Sequence, residues 1–318
     1  MLLKLVPSDT NINFIGYRKL AYFMSLIIVL GSLGLLFTRG LNLGIDFTGG
    51  TLIEVRVETA PDIQELRADL NGLGLGSISI QEFGDPLDLL IRMAQQDGGE
   101  TTQQEAIDTV KAKIEERFDA VDYRRVEYVG PQVGDELKKA GLMAFGFSMI
   151  GILLYVWFRF EWQFGVAAIM ALLHDTIGVL GFFALTQASF DLATLAAVLL
   201  VAGYSINDTV VVFDRIRENL RKYKKKLLED LFNLSVNQML SRSIMTSVTT
   251  LIALIALYIF GGEVIRGFVD ALIFGVALGT YSSVYVAAPL LMLFRIRDDK
   301  NGSSNSDDTS ALSSEEGA

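Results

Sequence analysis

The sequence predicts an α-helical integral membrane protein with six transmembrane helices and one extracytoplasmic α+β domain. Three observations support this fold class. Long apolar runs recur along the 318 residues, positive charge is concentrated in alternate loops between them, and a polar stretch after the first run has the pattern of a small sheet domain. A helix needs roughly 20 apolar residues to cross a bilayer.

Six runs have the length and composition of a spanning helix. They are 20–38, 139–158, 164–186, 192–213, 243–260 and 267–294. The first run is longer than the apolar region of a cleavable signal peptide, so we expect it to remain as an anchor. The last run is long for one span and contains Pro289, which favours tilt or an overhanging turn.

Lysine and arginine predict the orientation, because cytoplasmic loops carry an excess of both. Lys4, Arg18 and Lys19 precede span one, and Arg159 follows span two. The basic group 215–226 follows span four, and Arg295 and Arg297 follow span six. Loop 187–191 has none. Both termini, 1–19 and 295–318, and a basic loop over 214–242 are therefore expected in the cytoplasm. The sequence indicates a multi-pass membrane protein, surrounded by membrane lipids, whose basic loop is a topology signal.

Residues 39–138 are then expected outside the cytoplasm as one domain of about 100 residues, a common domain size. Alternation and helical spacing predict strands over 51–58, 77–83, 88–93 and 123–129 and helices over 61–73 and 101–118. The order β-α-β-β-α-β is typical of a ferredoxin-like fold. That fold hosts many functions, so it identifies none by itself.

Composition excludes most cofactor chemistry. There is no cysteine and His174 is the single histidine, so neither a thiolate site nor a multi-histidine metal site can be built. No phosphate-binding loop of the P-loop type occurs. The net charge of −10 argues against a nucleic-acid partner, and the acidic tail 295–318 has the composition of a disordered segment. We therefore expect no cofactor, no metal and no catalytic site.

Ionisable residues within the apolar runs are the candidate functional residues. A charge near the bilayer centre costs about 2.5–3.5 kcal/mol on insertion scales, so each should face the bundle interior. Burial disfavours the ionised form of Asp208, whereas a nearby Arg242 favours it. A carboxyl balanced in this way can take a proton from one side and release it to the other while arginine stays charged. A static ion pair, or a protonated aspartic acid bonded to a neighbour, is the alternative.

A second candidate pair, His174 and Asp175, lies near the middle of span three. Adjacent residues point about 100° apart on a helix, so they do not form a metal-ligand pair. A buried neutral histidine and a relay role both remain open. Small and polar residues surround Asp208 and place span four in the bundle core, since they permit close helix approach. These are Gly203, Tyr204, Ser205 and Thr209.

Three sequence motifs resemble a known family. GIDFTGG occupies 44–50, VGPQVGDEL occupies 129–137 and GYSINDTVVVFDRIREN occupies 203–219. In this order and spacing they resemble the SecD/SecF family of the bacterial Sec machinery, part of the RND superfamily. The SINDT and FDRIREN words are similar to those of its SecF members. The resemblance covers about residues 12–297.

The resemblance implies a subunit that acts with SecD to couple inward proton flow to preprotein translocation on the outer side of the membrane. The further partners it implies are the SecYEG channel, YajC, unfolded preprotein and, indirectly, SecA. The family's proton-path pair is the aspartate of SINDT and an arginine early in span five, which Asp208 and Arg242 match. His174 and Asp175 match an HD pair that family members often carry.

The motif residues at the two ends of the outer domain are expected to act as hinges or rigid couplings to the spans. Glycine permits tight turns and positive φ where a helix passes into a strand. The residues assigned to these junctions are Gly44, Asp46, Gly49, Gly50, Gly130, Pro131 and Gly134.

Two other functions compete with proton-driven export. An RND-type exporter of lipids or small molecules needs a cleft in the outer region, for which one domain of about 100 residues leaves little room. A scaffold that stabilises SecD or the channel would use its buried charges only to fix helix register. Loss of titration at Asp208 distinguishes a scaffold from a proton-driven subunit.

Overall fold

The computed structural model describes residues 10–294. Lys4, Arg295, Arg297 and the tail predicted over 295–318 lie outside the described residues. Within the described part, the helices and strands in chain order are α1 (Arg18–Thr38), α2 (Ile45–Thr48), β1 (Gly50–Val57), α3 (Ile63–Asn71), β2 (Ile78–Phe83), β3 (Asp85–Met93), α4 (Glu100–Arg117), β4 (Val121–Val129), α5 (Pro131–Arg159), α6 (Trp162–Thr186), α7 (Leu192–Lys222), α8 (Leu228–Phe260), α9 (Arg266–Ser282) and α10 (Ala288–Leu293).

The sheet domain comprises β1 to β4 with α3 and α4. Its strand order is β2-β3-β1-β4 and every neighbouring pair is antiparallel. β3 therefore lies between β1 and β2, as in a split βαβ unit. Inward-facing side chains such as Ile53 and Val55 of β1 pack with Leu66 of α3 and Val110 of α4. The alternation predicted from the sequence places these residues on one face because side chains of a strand point to opposite sides in turn.

The other face of the sheet also has an apolar patch. Leu52 of β1 and Leu90 of β3 pack with Ile45 of α2, just before the strand begins. β1 is consequently buried on both faces, although its sequence alternates. This patch joins the sheet domain to one end of the helical bundle, the end at which α1 ends and α5 begins.

Six helical segments of the described chain are long and apolar enough to cross a membrane. They are α1, α5, α6, α7, α8 and the segment Arg266–Leu293 that contains α9 and α10. α9 packs closely on α7, and small residues permit this: a Cβ on Gly279 would lie 3.1 Å from the Cβ of Ser205. The predicted fold class, six membrane helices with one α+β domain of βαββαβ order, is confirmed.

Most of the segment expected as a basic loop over 214–242 is instead helical. α7 continues to Lys222 and α8 begins at Leu228, so 223–227 alone separates them. The apolar side chains of this segment hold it against the bundle, since Ile216, Leu231 and Phe232 are fully buried. Arg215, Arg217, Arg221 and Lys222 lie on the part of α7 that extends beyond its apolar run, and the three lysines 224–226 lie in the short connection, a division that a count of charges along the sequence does not reveal.

The long final run is broken into three pieces. A π-helical turn, Ser283–Ala287, separates α9 from α10. Pro289, at the beginning of α10, has no N–H with which to continue the ladder of α-helical hydrogen bonds. π-helical turns are frequent at functional sites. This one lies beside the candidate residue Asp208.

Candidate functional site

Asp208 lies on the face of α7 that packs against α8 and the π-helical turn. Its side chain is buried, and the Ser243 hydroxyl of α8 donates a 2.6 Å hydrogen bond to its Oδ1. Its Oδ2 is buried and has no hydrogen-bond partner among the described residues. The Ser283 hydroxyl lies beside the carboxyl and hydrogen-bonds Thr209 at 2.9 Å. Asp208 is thus a half-satisfied carboxyl in a buried site.

Arg242 does not form the expected ion pair with Asp208 in this conformation. No salt bridge joins them within the described part of the chain, and the Arg242 side chain is exposed on the outside of the bundle. Ser243, the next residue of α8, faces the carboxylate instead. Arg242 is therefore not in contact with the Asp208 carboxyl in this conformation.

Asp175 differs from Asp208 because both of its oxygens are satisfied. The hydroxyls of Ser205 on α7 and Ser282 on α9 donate to Oδ2, the second at 2.6 Å. His174 Nδ1 lies 2.9 Å from Oδ1, so these two adjacent side chains do meet. Asp175 is fully buried and His174 nearly so. The Nε2 of His174 has no hydrogen-bond partner among the described residues. Asp175 is thereby held by side chains of two other helices, α7 and α9, and by its neighbour on α6.

Two adjacent serines connect the aspartates. Ser282 bonds Asp175, while Ser283 lies beside Asp208, and both serines are fully buried at the junction of α9 with the π-helical turn. The sequence reasoning did not identify Ser243, Ser282 or Ser283. The available signal was hydroxyl residues within apolar spans, which bond across helices in membranes.

The GIDFTGG motif forms the connection between the bundle and the sheet domain. The Asp46 carboxylate accepts a 3.0 Å hydrogen bond from the backbone N–H of Leu192, the first residue of α7. A carboxylate at a helix N-terminus binds unsatisfied N–H groups and is favoured by the helix dipole. Gly44 donates its N–H to the Phe190 carbonyl at 2.8 Å. The motif is thereby attached to the helix that carries Asp208.

The paired glycines of this motif turn the chain into β1. Gly49 and Gly50 have φ of +69° and +105°, which side chains rarely allow. A Cβ on Gly50 would lie 2.5 Å from the Met93 carbonyl oxygen. Gly134 of α5 packs against the Gly49 backbone, where a Cβ would lie 3.2 Å from the Gly49 nitrogen.

The second junction, at the return of the chain to the bundle, is formed at the start of α5. Gly130 is the N-cap residue of this helix, and Pro131 is its first residue. Proline suits this position because its missing N–H would have no intrahelical partner.

Arg92, which the sequence reasoning did not single out, joins β3 to both connecting segments. Its Nη1 donates to Asn42 Oδ1 at 2.8 Å and its Nη2 to Ser189 Oγ at 2.5 Å. Burial lowers the pKa of Arg92, and the negative charge of Asp191 opposes that change. The sheet domain is therefore bound by one guanidinium to the segment after α1 and to the loop before α7.

Two family models match the chain. The SecD/SecF C-terminal domain of protein export membrane proteins matches residues 109–297, and the SecD/SecF GG motif matches residues 34–61. The second match contains the glycine turn described above.

Relatives that match more than nine-tenths of the chain include the protein translocase subunits SecF of Rickettsia felis and Rickettsia rickettsii. The first is 46% identical over 93% of this chain and 96% of its own length, and the second is 45% identical over 92% and 94%. The crystal structure of SecDF, a translocon-associated membrane protein from Thermus thermophilus, superposes with a TM-score of 0.82 and 36% identity over 92% of this chain. This chain spans 40% of that longer chain.

The multi-pass helical bundle, the glycine turn into a βαββαβ domain and these matches lead to one conclusion. The chain belongs to the SecD/SecF family.

Proposed function

We propose that this chain acts with SecD in the bacterial inner membrane and uses the proton motive force to promote preprotein translocation on the outer side. The SecYEG channel, YajC and, indirectly, SecA are the further partners in this proposal. Both termini are in the cytoplasm and the sheet domain is outside. The lysines and arginines of 215–226, at the bundle end opposite the sheet domain, support this orientation.

The observation that carries the proposal is the half-satisfied carboxyl of Asp208. A buried carboxylate normally has its acceptor sites filled, because an unpaired charge in an apolar surrounding is costly. Asp208 has one donor, Ser243, and a second oxygen without a partner among the described residues. A proton on that oxygen neutralises the group. Asp208 is therefore the proton-carrying residue, and Asp175, whose oxygens are filled, is an anchor.

The connection from this residue to the outer domain runs along α7. Protonation removes a negative charge from one face of α7 and so changes the balance of its contacts with α8 and the π-helical turn. The first residue of the same helix is bonded to Asp46. A displacement of α7 is transmitted to the GIDFTGG motif and from there to β1, which begins at Gly50.

Arg242 takes part in the proposal through its position. An exposed guanidinium beside an apolar span is costly unless an anionic group meets it. Arg242 directly precedes Ser243, the residue of α8 that bonds Asp208. An acidic group of a partner protein that paired with Arg242 would therefore lie on the outer side of α8, close to the Asp208 site. His174 and Asp175 complete the proposed proton pathway, in which Asp175 is the anchor that orients the His174 imidazole, whose Nε2 has no hydrogen-bond partner among the described residues.

The experiment is proton-dependent export in membrane vesicles that contain the complex with SecD. Asp208→Asn should abolish the stimulation of export by an imposed pH gradient and leave the complex assembled. Asp208→Glu, which keeps a titratable group, should retain part of it. Asp214→Asn is the matched control, since Asp214 lies on the same helix but is half-exposed and bonded to Arg159 at 3.0 Å.

Other outcomes assign the chain to another function. Full stimulation in the Asp208→Asn variant would contradict proton coupling at this residue and leave the scaffold. Loss of a proton-dependent efflux of hydrophobic dye, with export of preprotein unchanged, would favour the RND-type exporter.

A further inference from the structure

An apolar cavity opens between α5 and the rest of the bundle, at the end that carries the sheet domain. Its volume is about 250 Å³. Phe47 of α2, Phe145 of α5, Leu180 of α6 and Val198 of α7 contribute to its walls. Lys138 is the one charged residue among those that line it.

The cavity has its mouth on the outer flank of α5. Leu142, which lines it, is 68% exposed, and Lys138, one turn earlier, is exposed as well. α5 is a peripheral helix whose buried residues are Gly134, Gly141 and Val156. The cavity is therefore reached from the side of the helix that faces lipid.

The lysines mark the depth of the mouth in the membrane. Lys138 and its neighbour Lys139 immediately precede 140–158, a stretch without any charged residue. Neither lysine forms an ion pair within residues 10–294. Lysines at the end of a span lie at the level of the lipid headgroups, with the apolar walls of the cavity below them.

We propose that this cavity binds one acyl chain of an anionic phospholipid whose phosphate lies on Lys138 and Lys139. An apolar cavity does not hold water well, so a crevice open to the membrane is filled by hydrocarbon. Lys138 lies at the mouth and Lys139 follows it on α5. These two charges, which lie on the membrane side of Asp135 and Glu136, select a negatively charged headgroup, because basic residues near a membrane surface attract anionic lipid. The bound lipid packs α5 against α6 and α7 beside Phe47 of the GIDFTGG motif. This proposal does not depend on the proton-carrying role of Asp208.

Photo-crosslinking tests the site. The full chain is co-expressed with SecD and reconstituted in phosphatidylcholine vesicles that contain a small fraction of a diazirine-bearing lipid, either phosphatidylglycerol or phosphatidylcholine with the same acyl chains. Adducts are mapped by mass spectrometry on 142–145 of α5. The exposed residues Leu154 and Phe158 of the same helix provide the reference for lipid without a binding site.

Phosphatidylglycerol is expected to label 142–145 several-fold more than phosphatidylcholine, with equal labelling of the reference residues. Combining Lys138→Gln with Lys139→Gln should remove that preference. Lys19→Gln, at the opposite membrane boundary, should leave it unchanged. Equal labelling by the two lipids, a preference that survives loss of both lysines, or the absence of adducts at 142–145 because SecD covers the cavity would each overturn the proposal.

Discussion

The two buried aspartates should respond differently to replacement by alanine. Asp175→Ala leaves two groups without partners, the Ser205 hydroxyl and His174 Nδ1, because the Ser282 hydroxyl still bonds the Gly279 carbonyl. Asp208→Ala deprives only Ser243 of its partner. Each orphaned buried group costs about 1–3 kcal/mol.

The difference in the free energy of unfolding between the two variants can be estimated more accurately than the decrease in either variant alone. Both replacements delete a buried carboxylate of equal size, so the cavity and the relief of desolvation largely cancel. One additional orphaned group remains on the Asp175→Ala side. We therefore expect the free energy of unfolding to fall by about 1–3 kcal/mol more for Asp175→Ala than for Asp208→Ala.

Thermal unfolding of the purified complex in one detergent measures this difference. For a chain above 150 residues, about 2–4 °C in Tm corresponds to 1 kcal/mol, so the two variants should be separated by several degrees. The same preparations, reconstituted, report the response of export to a pH gradient. A Tm for Asp208→Ala at or below that of Asp175→Ala would refute the assignment of Asp175 as anchor and Asp208 as proton carrier.

Three further predictions concern the connections around this site. Gly50→Ala should destabilise the sheet domain more than Gly74→Ala. Both glycines have positive φ, which costs a residue with a side chain about 1–2 kcal/mol, but only at Gly50 would the Cβ also lie 2.5 Å from a backbone oxygen. Hydrogen exchange of the β1 amides measures the difference, and equal exchange in the two variants would contradict the steric argument. Arg92→Gln should weaken proton-dependent export while the stability of the sheet domain is unchanged. Arg92→Lys should retain only part of the export activity, because lysine lacks the planar guanidinium that bonds two partners at once. Full export activity of the glutamine variant would exclude a coupling role for Arg92. Asn237→Ala should increase hydrogen exchange near Ile12, whose N–H and carbonyl both bond Asn237; unchanged exchange would show that these bonds do not hold the segment.

The hydrophobic pattern was sufficient to predict the architecture. Membrane helices form their backbone hydrogen bonds internally and present apolar side chains over roughly 20 residues, so each span is visible in the sequence as a continuous apolar run. The strands of the sheet domain leave an alternating record because one face packs on α3 and α4. The prediction began too late at α8, because the first turns of that helix, from Leu228, are not continuously apolar and the predicted run started only at 243. The burial of Leu231 and Phe232 there comes from contacts with other parts of the chain.

The site was predicted less completely, because its geometry depends on the rotation of helices about their axes. Consecutive residues of a helix point about 100° apart, so Arg242 and Ser243 cannot both face α7. The cost of burying charge identified Asp208 and Arg242 as the important groups. It did not determine which of the two neighbours on α8 would bond the carboxylate. Ser243, Ser282 and Ser283 were missed for the same reason, since a hydroxyl in an apolar span becomes informative only when its partner is known.

An unbroken helix lies beside an interrupted one in the bundle, and this contrast explains how the proposed protonation of Asp208 affects the distant sheet domain. α7 is an unbroken helix from Leu192 to Lys222, and Asp208 lies about 24 Å from its first residue at 1.5 Å per residue. α9, its closest neighbour, is interrupted at Ser283. In the proposed mechanism, a change in charge at Asp208 is accommodated where the helical ladder of α9 is already broken, while the uninterrupted α7 moves as one rod. The sheet domain then receives the proposed displacement because Asp46 binds the first residue of α7, while Asp175 of α6 anchors its helix to α7 and α9 through Ser205 and Ser282.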